Sequence, residues 1–209
     1  MKITKILCGI AAANCYVLEC DTAAVIIDPG YLEPELVSYA KRLGDKCKYI
    51  LLTHRHFDHV CAAVALKKLI NADILIHKDD ECGLYDDEKS LTAMCNGFYG
   101  HANGDERADR YINDGDVITA GDICLKVIGT PGHSPGGVCF LCDNMLFSGD
   151  TIFEGTVGRT DMLDSNPSDF IVSLKKLLAL PDSTIVYSGH GESTTIGRER
   201  ISNPFLRFL

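Results

Sequence analysis

The segment THRHFDH at residues 53–59 carries a high density of side chains that bind metal ions. Three histidines and one aspartate lie within six positions: His54, His56, Asp58 and His59. Packing three imidazoles and a carboxylate so closely gives no structural benefit without a cation. Imidazole suits zinc, iron and related metals, and carboxylate oxygen suits harder ones. The segment therefore predicts a metal site.

Three further ligand-type residues occur at comparable positions later in the chain. His133 lies in TPGHSPGG, Asp150 in SGDT and His190 in SGHG, and each follows an apolar segment that predicts a β-strand. Asp28 ends the segment AAVIID in the same way. Strand ends hold side chains rigidly while leaving them open to a crevice. A lone histidine after a strand is more often a surface residue, but five of the seven histidines fall at these positions.

The candidate ligands are sufficient for two metal ions that share one residue. They divide into a group with His54, His56 and His133, a group with Asp58, His59 and His190, and a shared Asp150. Two cations a few ångströms apart would lower the pKa of a shared water towards neutrality and give a hydroxide for hydrolysis. We therefore expect two divalent metal ions. Zinc is the preferred candidate, and iron or manganese is also compatible.

The elements that must position these side chains are short strands separated by turn-rich loops, with a few helices between them. The strand candidates are KITKIL, NCYVLE, AAVIID, KYILLT, DILIH, DICLKVIG, GVCFLC, NMLFSG and STIVYS. Helices are predicted over 33–43, 59–70 and 167–180, with Pro167 as the first residue of the last. The dipeptide DN at 143–144 predicts a hairpin turn. The pattern indicates an α/β or α+β protein, and we expect one domain over residues 1–209.

Charge and hydropathy exclude some classes of partner. The net charge is −9 and the Lys and Arg residues are scattered, so we expect no nucleic acid partner. No apolar run approaches the roughly 20 residues that a membrane helix needs. The N-terminal segment loosely imitates a secretory signal, but Gly9 and Asn14 interrupt it, and we expect a cytoplasmic protein.

The ten cysteines are irregularly spaced through apolar segments, which indicates reduced core thiols rather than a disulfide framework. Cys139 and Cys142 form a C-x-x-C, but they lie in the predicted strand VCFLC. The alternation of a strand directs them to opposite faces.

THRHFDH, TPGHSPGG, SGDTIF and SGHG, in this order and spacing, resemble the metallo-β-lactamase fold superfamily. The resemblance covers almost the whole chain and implies a four-layer αββα sandwich with a dinuclear site at the sheet edge. It also implies that Asp28 supports the metal loop rather than binding metal. True metallo-β-lactamases typically have Cys or Ser at the position of Asp150.

Within the superfamily, GRTD at 158–161 and STTIGRERISNPFL at 193–206 resemble the small glyoxalase II-like hydrolases, also called hydroxyacylglutathione hydrolase-like. These enzymes cleave S-acyl thioesters such as S-lactoylglutathione. The expected reaction is attack of a metal-bridging hydroxide on the thioester carbonyl, with Asp58 orienting the attacking oxygen.

Substrate residues are less clearly marked. The longer glyoxalase II enzymes hold glutathione with a C-terminal helical domain for which this chain leaves no room, so another thiol or a small acyl thioester is also compatible. The turn-rich segment 96–116 could cover the site, with Tyr99, His101 or Arg107 contacting substrate, or be an ordinary surface loop. Arg159 is a candidate for holding a carboxylate or orienting the 150s loop.

Two alternatives to a thioester hydrolase stay open at the level of sequence. A persulfide dioxygenase of the same fold would use one iron held by His54, His133 and Asp150, as 2-His-1-carboxylate iron sites do. A non-catalytic metal-binding module is the other, although the complete ligand set argues against it. Either a monomer or a small homo-oligomer is compatible with the sequence.

Overall fold

The fold comes from a computed structural model, which describes residues 1–95, 97–99, 106–207 and 209. The first sheet contains β1 (Lys2–Cys8), β2 (Ala13–Glu19), β3 (Ala24–Ile27), β4 (Cys47–Leu51), β5 (Asp73–Ile76) and β6 (Arg110–Tyr111), in that spatial order. Strands β1 to β3 pair antiparallel, whereas β3 to β6 pair parallel. The carboxyl ends of β3, β4 and β5 therefore share one edge of the sheet.

The second sheet is built from the C-terminal half of the chain. It contains β7 (Val117–Ala120), β8 (Ile123–Gly129), β9 (Val138–Cys142), β10 (Met145–Gly149), β13 (Ile185–Ser188) and β14 (Thr194–Thr195). Their spatial order is β14-β13-β10-β9-β8-β7, and β10 pairs with β13 in parallel. Between β10 and β13 the chain forms a small ribbon of β11 (Ile152–Phe153) and β12 (Thr156–Val157).

Five α-helices cover the outer faces of the sheets in the described part of the chain. They are α1 (Pro34–Leu43), α2 (Phe57–Val60), α3 (Ala63–Ile70), α4 (Pro167–Leu178) and α5 (Ile196–Ser202). Three short 3₁₀ segments lie at Gly44–Lys46, Lys78–Leu84 and Thr92–Cys95. None of the helices that the structure describes is long and apolar enough to cross a membrane.

Three apolar clusters hold the layers together. One packs α1 and α3 on the first sheet, a second fills the space between the sheets, and a third packs α4 and α5 on the second sheet. This is the expected four-layer αββα sandwich. Cys139 and Cys142 of β9 belong to different clusters, because side chains alternate along a strand and residues three positions apart face opposite sides.

Most of the expected elements are present. Helix α4 begins at Pro167, and the Oδ1 of Asn166 accepts hydrogen bonds from Ser168 N (3.0 Å) and Asp169 N (3.3 Å). Such a cap satisfies amides that have no partner within the helix. The expected turn at 143–144 joins β9 to β10, with Asp143 in the left-handed region (φ 53°).

The expected helix over 59–70 is wrong as a single element. The structure has α2 and α3 with a break at residues 61 and 62, because the amide of Ala62 donates to the carbonyl of Pro29 (3.0 Å) instead of continuing α2. The segment 96–116 is not loop throughout, since it supplies β6.

A hydrogen-bonded seam joins the two sheets beside the end of β13. The backbone amide of Asn14 donates to the carbonyl of Gly189 (2.7 Å), and its side-chain amide donates to the carbonyls of Ser188 (2.9 Å) and Gly191 (3.0 Å). The Tyr16 hydroxyl also donates to Ser188 O (2.7 Å). Strand β2 therefore fixes the loop that carries His190.

Candidate metal centre

The expected ligands come from both sheets and meet at one edge of the sandwich. The segment after β4 supplies His54, His56, Asp58 and His59, and the loops after β8, β10 and β13 supply His133, Asp150 and His190. Residues far apart in sequence thus converge because strand ends from both sheets point to the same edge.

His54, His56 and His133 form the first group, with potential ligand atoms all within 4.8 Å of one another. Their ring centroids lie 4.6 to 4.9 Å apart. All three rings are buried. This is the grouping expected from the sequence.

Asp58, His59 and His190 form the second group under the same distance limit. Asp58 Oδ2 lies 3.1 Å from His190 Nε2 and 3.8 Å from His59 Nε2.

The carboxylate of Asp150 lies between the second group and the first. Asp150 Oδ1 lies 3.3 Å from His59 Nε2, and its Oδ2 lies 3.6 Å from His133 Nε2. Asp150 is therefore positioned between the groups, as a bridging residue would be.

Hydrogen bonds at Nδ1 orient three of the imidazoles. His133 Nδ1 lies 2.8 Å from the carbonyl of Arg159, which can only accept, so Nδ1 carries the proton. His59 Nδ1 lies 2.9 Å from Asp28 Oδ2, and His54 Nδ1 lies 3.0 Å from Thr53 Oγ1. The Thr53 hydroxyl in turn donates to Asp28 Oδ2 (2.6 Å). A proton on each Nδ1 leaves the Nε2 lone pair free to bind a metal.

The Nε2 atoms test whether the site fits metal ions. The Nε2 atoms of His54, His56, His59 and His133 are buried and have no hydrogen-bond partner among the described residues, and the same holds for Asp150 Oδ1. A buried polar atom without a partner is destabilising. These atoms converge on two positions with the ligand types of zinc and iron, so the residues fit divalent cations.

The electrostatic environment of the cluster favours a bound cation. Burial lowers the pKa of His54 well below its ordinary value and that of His56 to about 3, so both rings are neutral at pH 7. Burial also opposes the charged form of His59, but the carboxylates of Asp150 and Asp58 outweigh it and raise the pKa of this ring. The second group therefore attracts positive charge.

Both carboxylate oxygens of Asp28 contact Thr53, and one of them also contacts His59. Its Oδ1 accepts from the Thr53 amide (2.8 Å), and its Oδ2 accepts from Thr53 and contacts His59. Both oxygens are therefore used in holding the metal loop, although Asp28 also lies within ligand distance of His54 and His59. Its left-handed backbone (φ 53°) is one that aspartate tolerates better than most residues.

Asp80 is a residue at this site that the sequence analysis missed. Its buried carboxylate accepts from the amides of Arg55 (3.1 Å) and Gly136 (2.8 Å) and from the Ser134 hydroxyl. It therefore ties the THRHFDH segment to the loop that carries His133. The signal was present, because Asp80 follows β5 at the same sheet edge.

Close backbone approach also shapes the centre. A Cβ at Gly189 would overlap Asp150 Oδ1 and His59 Cε1, and a Cβ at Gly30 would overlap the carbonyl of Asp58. Only glycine lets these two backbone segments lie so near the ligands.

The centre opens into a cavity of about 1040 Å³. His56, Asp58, His133, Asp150 and His190 lie on its wall, whereas His54 and His59 lie behind it. The remaining wall comes from Phe57 and from residues in three segments: 88 and 91 to 95 without 92, 153 to 163 without 155 and 160, and 191 to 192. A substrate in this cavity would contact the ligand cluster directly.

Of the expected substrate residues that the structure describes, one lies on the cavity wall and two do not. Arg159 lies on the cavity wall, but its guanidinium pairs with both carboxylate oxygens of Asp161 (2.9 and 3.0 Å). Tyr99 packs against Phe57 and does not line the cavity, and its hydroxyl accepts from the amide of Ala11 (3.2 Å). Arg107 stacks on Tyr85 with 3.8 Å between the guanidinium and the ring centroid, away from the cavity. His101 lies outside the described residues.

A four-layer sandwich with two groups of metal-binding side chains at one edge defines a class of metal-binding α/β proteins. The sequence matches the metallo-beta-lactamase superfamily over residues 9–190. It is 37% identical over 188 residues to the hydroxyacylglutathione hydrolase GloC of Haemophilus influenzae, covering 88% of this chain and 87% of that protein. The chain therefore belongs to the metallo-beta-lactamase superfamily.

Solved structures agree in fold and length. The crystal structure of BLEG-1 B3 metallo-beta-lactamase matches with a TM-score of 0.90 and 36% identity, covering 98% of this chain and 99% of that one. The crystal structure of TTHA1623 in a di-iron-bound form matches with a TM-score of 0.84 and 36% identity, covering 97% and 100%. The family and the His/Asp cluster together indicate a metallo-hydrolase that uses divalent metal ions.

Proposed function

We propose that this protein hydrolyses an S-acyl thioester with two divalent metal ions, zinc in the first place. The observation that carries the proposal is the arrangement of two three-residue groups on either side of Asp150, at the wall of a large cavity. One complete group would suffice for a single metal ion, whereas two complete groups favour a dinuclear centre.

His54, His56 and His133 would hold one cation, Asp58, His59 and His190 the other, and Asp150 would lie between them. Two bound cations supply an activated water at neutral pH and polarise the carbonyl of the substrate. The neutral state of His54 and His56 keeps their Nε2 lone pairs available.

The chain's own residues complete the reaction. Asp58 lies on the cavity wall with Oδ2 near His190, where its carboxylate would orient the attacking water as well as bind metal. A thiolate is a good leaving group, so no strong general acid is required opposite it. The apolar walls would exclude bulk water from the remaining part of the substrate.

The comparisons support the proposal in part. GloC is called a hydroxyacylglutathione hydrolase, which favours a thioester, and TTHA1623 is called di-iron-bound, which favours two metal ions and makes iron an alternative to zinc. BLEG-1 is called a B3 metallo-beta-lactamase, so a β-lactam belongs among the substrates assayed.

The first experiment is elemental mass spectrometry on protein purified without chelators, followed by thiol-release assays on acyl thioesters. We expect about two metal ions per chain and thioester cleavage that chelation abolishes. One iron per chain, with oxygen uptake on a glutathione persulfide, would replace the proposal with a dioxygenase. Cleavage of a β-lactam but not of thioesters would also reject it.

The role of Asp58 is tested with Asp58→Ala. We expect turnover to fall at least about a hundredfold, with loss of part of the bound metal. The exposed Asp45 gives a matched control, Asp45→Ala, which should keep both metal content and turnover. Full metal content with full turnover in Asp58→Ala would show that this carboxylate has neither role.

We also propose that the protein works in the cytoplasm on a small-molecule substrate. All ten cysteines are free, which suits a reducing compartment. Fractionation of cells expressing the tagged chain tests this, and recovery outside the cytoplasm would reject it.

A further inference from the structure

The cavity beside the metal centre has a largely apolar wall. Met94 is 75% exposed and Leu163 is 41% exposed, and both face the cavity together with Phe153. Large apolar side chains left exposed at a concave site mark the place where an apolar ligand part is bound.

Positive charge is scarce on the same wall. Among the lining residues that the structure describes, Arg159 is the one Lys or Arg, and its Nε–H and one Nη2–H donate to the two carboxylate oxygens of Asp161. A bidentate pair of this kind offsets the charge of the guanidinium and takes two of its five donors, which weakens its attraction for a substrate carboxylate.

Negative charge is more abundant. Glu154 and Glu192 on the wall pair with Arg198 (2.7 Å) and Lys5 (3.4 Å), which reach the rim from outside. No ion pair within the described residues engages Glu88, and the neighbouring Lys89 is paired with Asp164. Outside the metal-binding residues, the described lining residues comprise four carboxylates (Glu88, Glu154, Asp161 and Glu192) and one guanidinium (Arg159), which is an excess of negative charge.

We propose that this cavity selects acyl thioesters with an apolar acyl chain and a thiol carrier that has no free carboxylate. This inference rests on the proposed thioester hydrolysis and names its substrate class. Glutathione carries two carboxylates, and among the described lining residues the single guanidinium is paired with Asp161 while Glu88 adds an unpaired negative charge. A neutral carrier avoids this repulsion and keeps the apolar contacts.

Binding of uncleavable thioethers tests the selection separately from the reaction. Isothermal titration of the zinc-loaded protein compares S-hexyl-N-acetylcysteamine, which is neutral, with S-hexylglutathione. We expect the neutral ligand to bind about fivefold more tightly at low salt. The difference should shrink at high salt, because screening weakens the repulsion of exposed charges.

Removing the negative charge that pairs with Arg159 should reduce the preference for the neutral ligand. In Asp161→Asn the guanidinium loses its charged partner, and we expect S-hexylglutathione to bind about threefold more tightly while the neutral ligand is unaffected. The double variant Asp161→Asn with Arg159→Ala should lose this gain. Glu35→Gln, an equal change of charge on the exposed start of α1, is the control and should change neither affinity. All variants keep the seven metal-binding residues, so contact of carboxylates with zinc cancels in the comparison.

Equal or tighter binding of S-hexylglutathione to the unmodified protein would overturn the inference, as would absence of binding by both ligands. If the neutral ligand is preferred but no thioester is cleaved, the proposed reaction fails while the charge selection stands. If thioesters are cleaved and S-lactoylglutathione is preferred over S-lactoyl-N-acetylcysteamine, the reaction stands and the selection fails.

Discussion

The imidazoles of the metal centre are oriented by the atoms behind them. Asp28 accepts from Thr53 and contacts His59, and Thr53 contacts His54, so one carboxylate supports a ligand from each group. The carbonyl of Arg159 does the same for His133. The direction of Nε2 in these three rings is therefore set by hydrogen bonds within the protein before a cation binds.

Asp28→Asn should weaken this support with little change in side-chain shape. The amide can still accept from the Thr53 amide, but its NH₂ group cannot accept from the Thr53 hydroxyl or from His59. We expect metal affinity to fall about 10- to 100-fold, measured by competition with a chelator of known affinity. Asp45→Asn at an exposed position should leave the affinity unchanged. Unchanged affinity in Asp28→Asn would mean that these hydrogen bonds do not position the ligands.

The grouping of the ligands was predictable from the sequence, whereas the directions of several other side chains were not. His54 and His56 alternate along an extended segment after a strand, and that spacing is enough to place them in one group. Tyr99 and Arg107 lie in a segment without periodicity. Their partners Phe57 and Tyr85 are distant in sequence, so only the folded chain shows that these side chains pack away from the cavity.

At the scale of elements, α5 braces one wall of the cavity. The buried carboxylate of Glu199 accepts from the Thr194 hydroxyl (2.6 Å), from the amide of Gly155 (2.8 Å) and from the side chain of Asn203 (2.9 Å). Asn203 also donates to the carbonyl of Thr156 (2.9 Å). The C-terminal motif therefore holds the ribbon of β11 and β12, which lines the cavity.

Glu199→Gln should destabilise the protein by about 1–3 kcal/mol, because its NH₂ group would replace one acceptor oxygen and face at least one donor in a buried site. We also expect a higher KM with a smaller change in kcat, since the ribbon contacts substrate rather than metal. Urea unfolding and steady-state kinetics measure the two effects. Glu35→Gln serves as the exposed control. A stability equal to that of the unmodified protein would contradict the bracing role.

Glu19 on β2 links the first sheet to α1. The Arg42 guanidinium, followed by the Lys46 ammonium and the Tyr39 hydroxyl, lowers the pKa of Glu19 from 4.5 to about 2. A lowered pKa in the folded state means stability that is present above pH 4.5 and is lost as the pH falls towards 2.

Glu19→Gln should therefore lower the free energy of unfolding at pH 7. The loss should be at most about 1 kcal/mol, because Arg42 is 54% exposed and solvent screens the pair. The gap between the two proteins should narrow below pH 4.5, as followed by urea unfolding at several pH values. A gap independent of pH down to pH 3 would show that the charge of Glu19 is not its cause.

The main strands could be predicted because their β-branched and apolar residues fill buried positions of the two sheets. β6, β11, β12 and β14 could not, since each has two residues and exists through pairing with a neighbour. The break between α2 and α3 was also hidden, because it depends on the carbonyl of Pro29, which is distant in sequence.

At the scale of the whole molecule, the metal centre joins the two halves of the sandwich. The first sheet provides the THRHFDH segment, and the second provides His133, Asp150 and His190. Bound metal would therefore stabilise the packing of one half on the other, in addition to the apolar cluster between the sheets.

Removal of metal should lower the thermal stability. At a free zinc concentration about a hundredfold above Kd, binding contributes about 2.7 kcal/mol, which corresponds to roughly 5–10 °C in Tm for a chain of this size. Calorimetry on chelated and zinc-restored protein measures the shift. A variant that lacks His54 and His59 should have the same unfolding midpoint with and without zinc. This result would confirm that the shift arises at this centre. An equal midpoint with and without zinc in the unmodified protein would exclude a structural contribution of the metal.

The seam between Asn14 and the loop at 188–191 has a consequence for hydrogen exchange. It fastens the sandwich at the edge that carries the ligands, whereas β6 and β7 close the other end of their sheets with few residues. In partial opening, the two sheets should therefore separate at β6 and β7 while the contacts of Asn14 with residues 188–191 stay intact. The amide of Asn14 should then exchange with deuterium only in global unfolding, while amides near β6 and β7 exchange through partial opening. Partial opening of the fold would thus leave intact the sheet contacts beside the metal-binding residues.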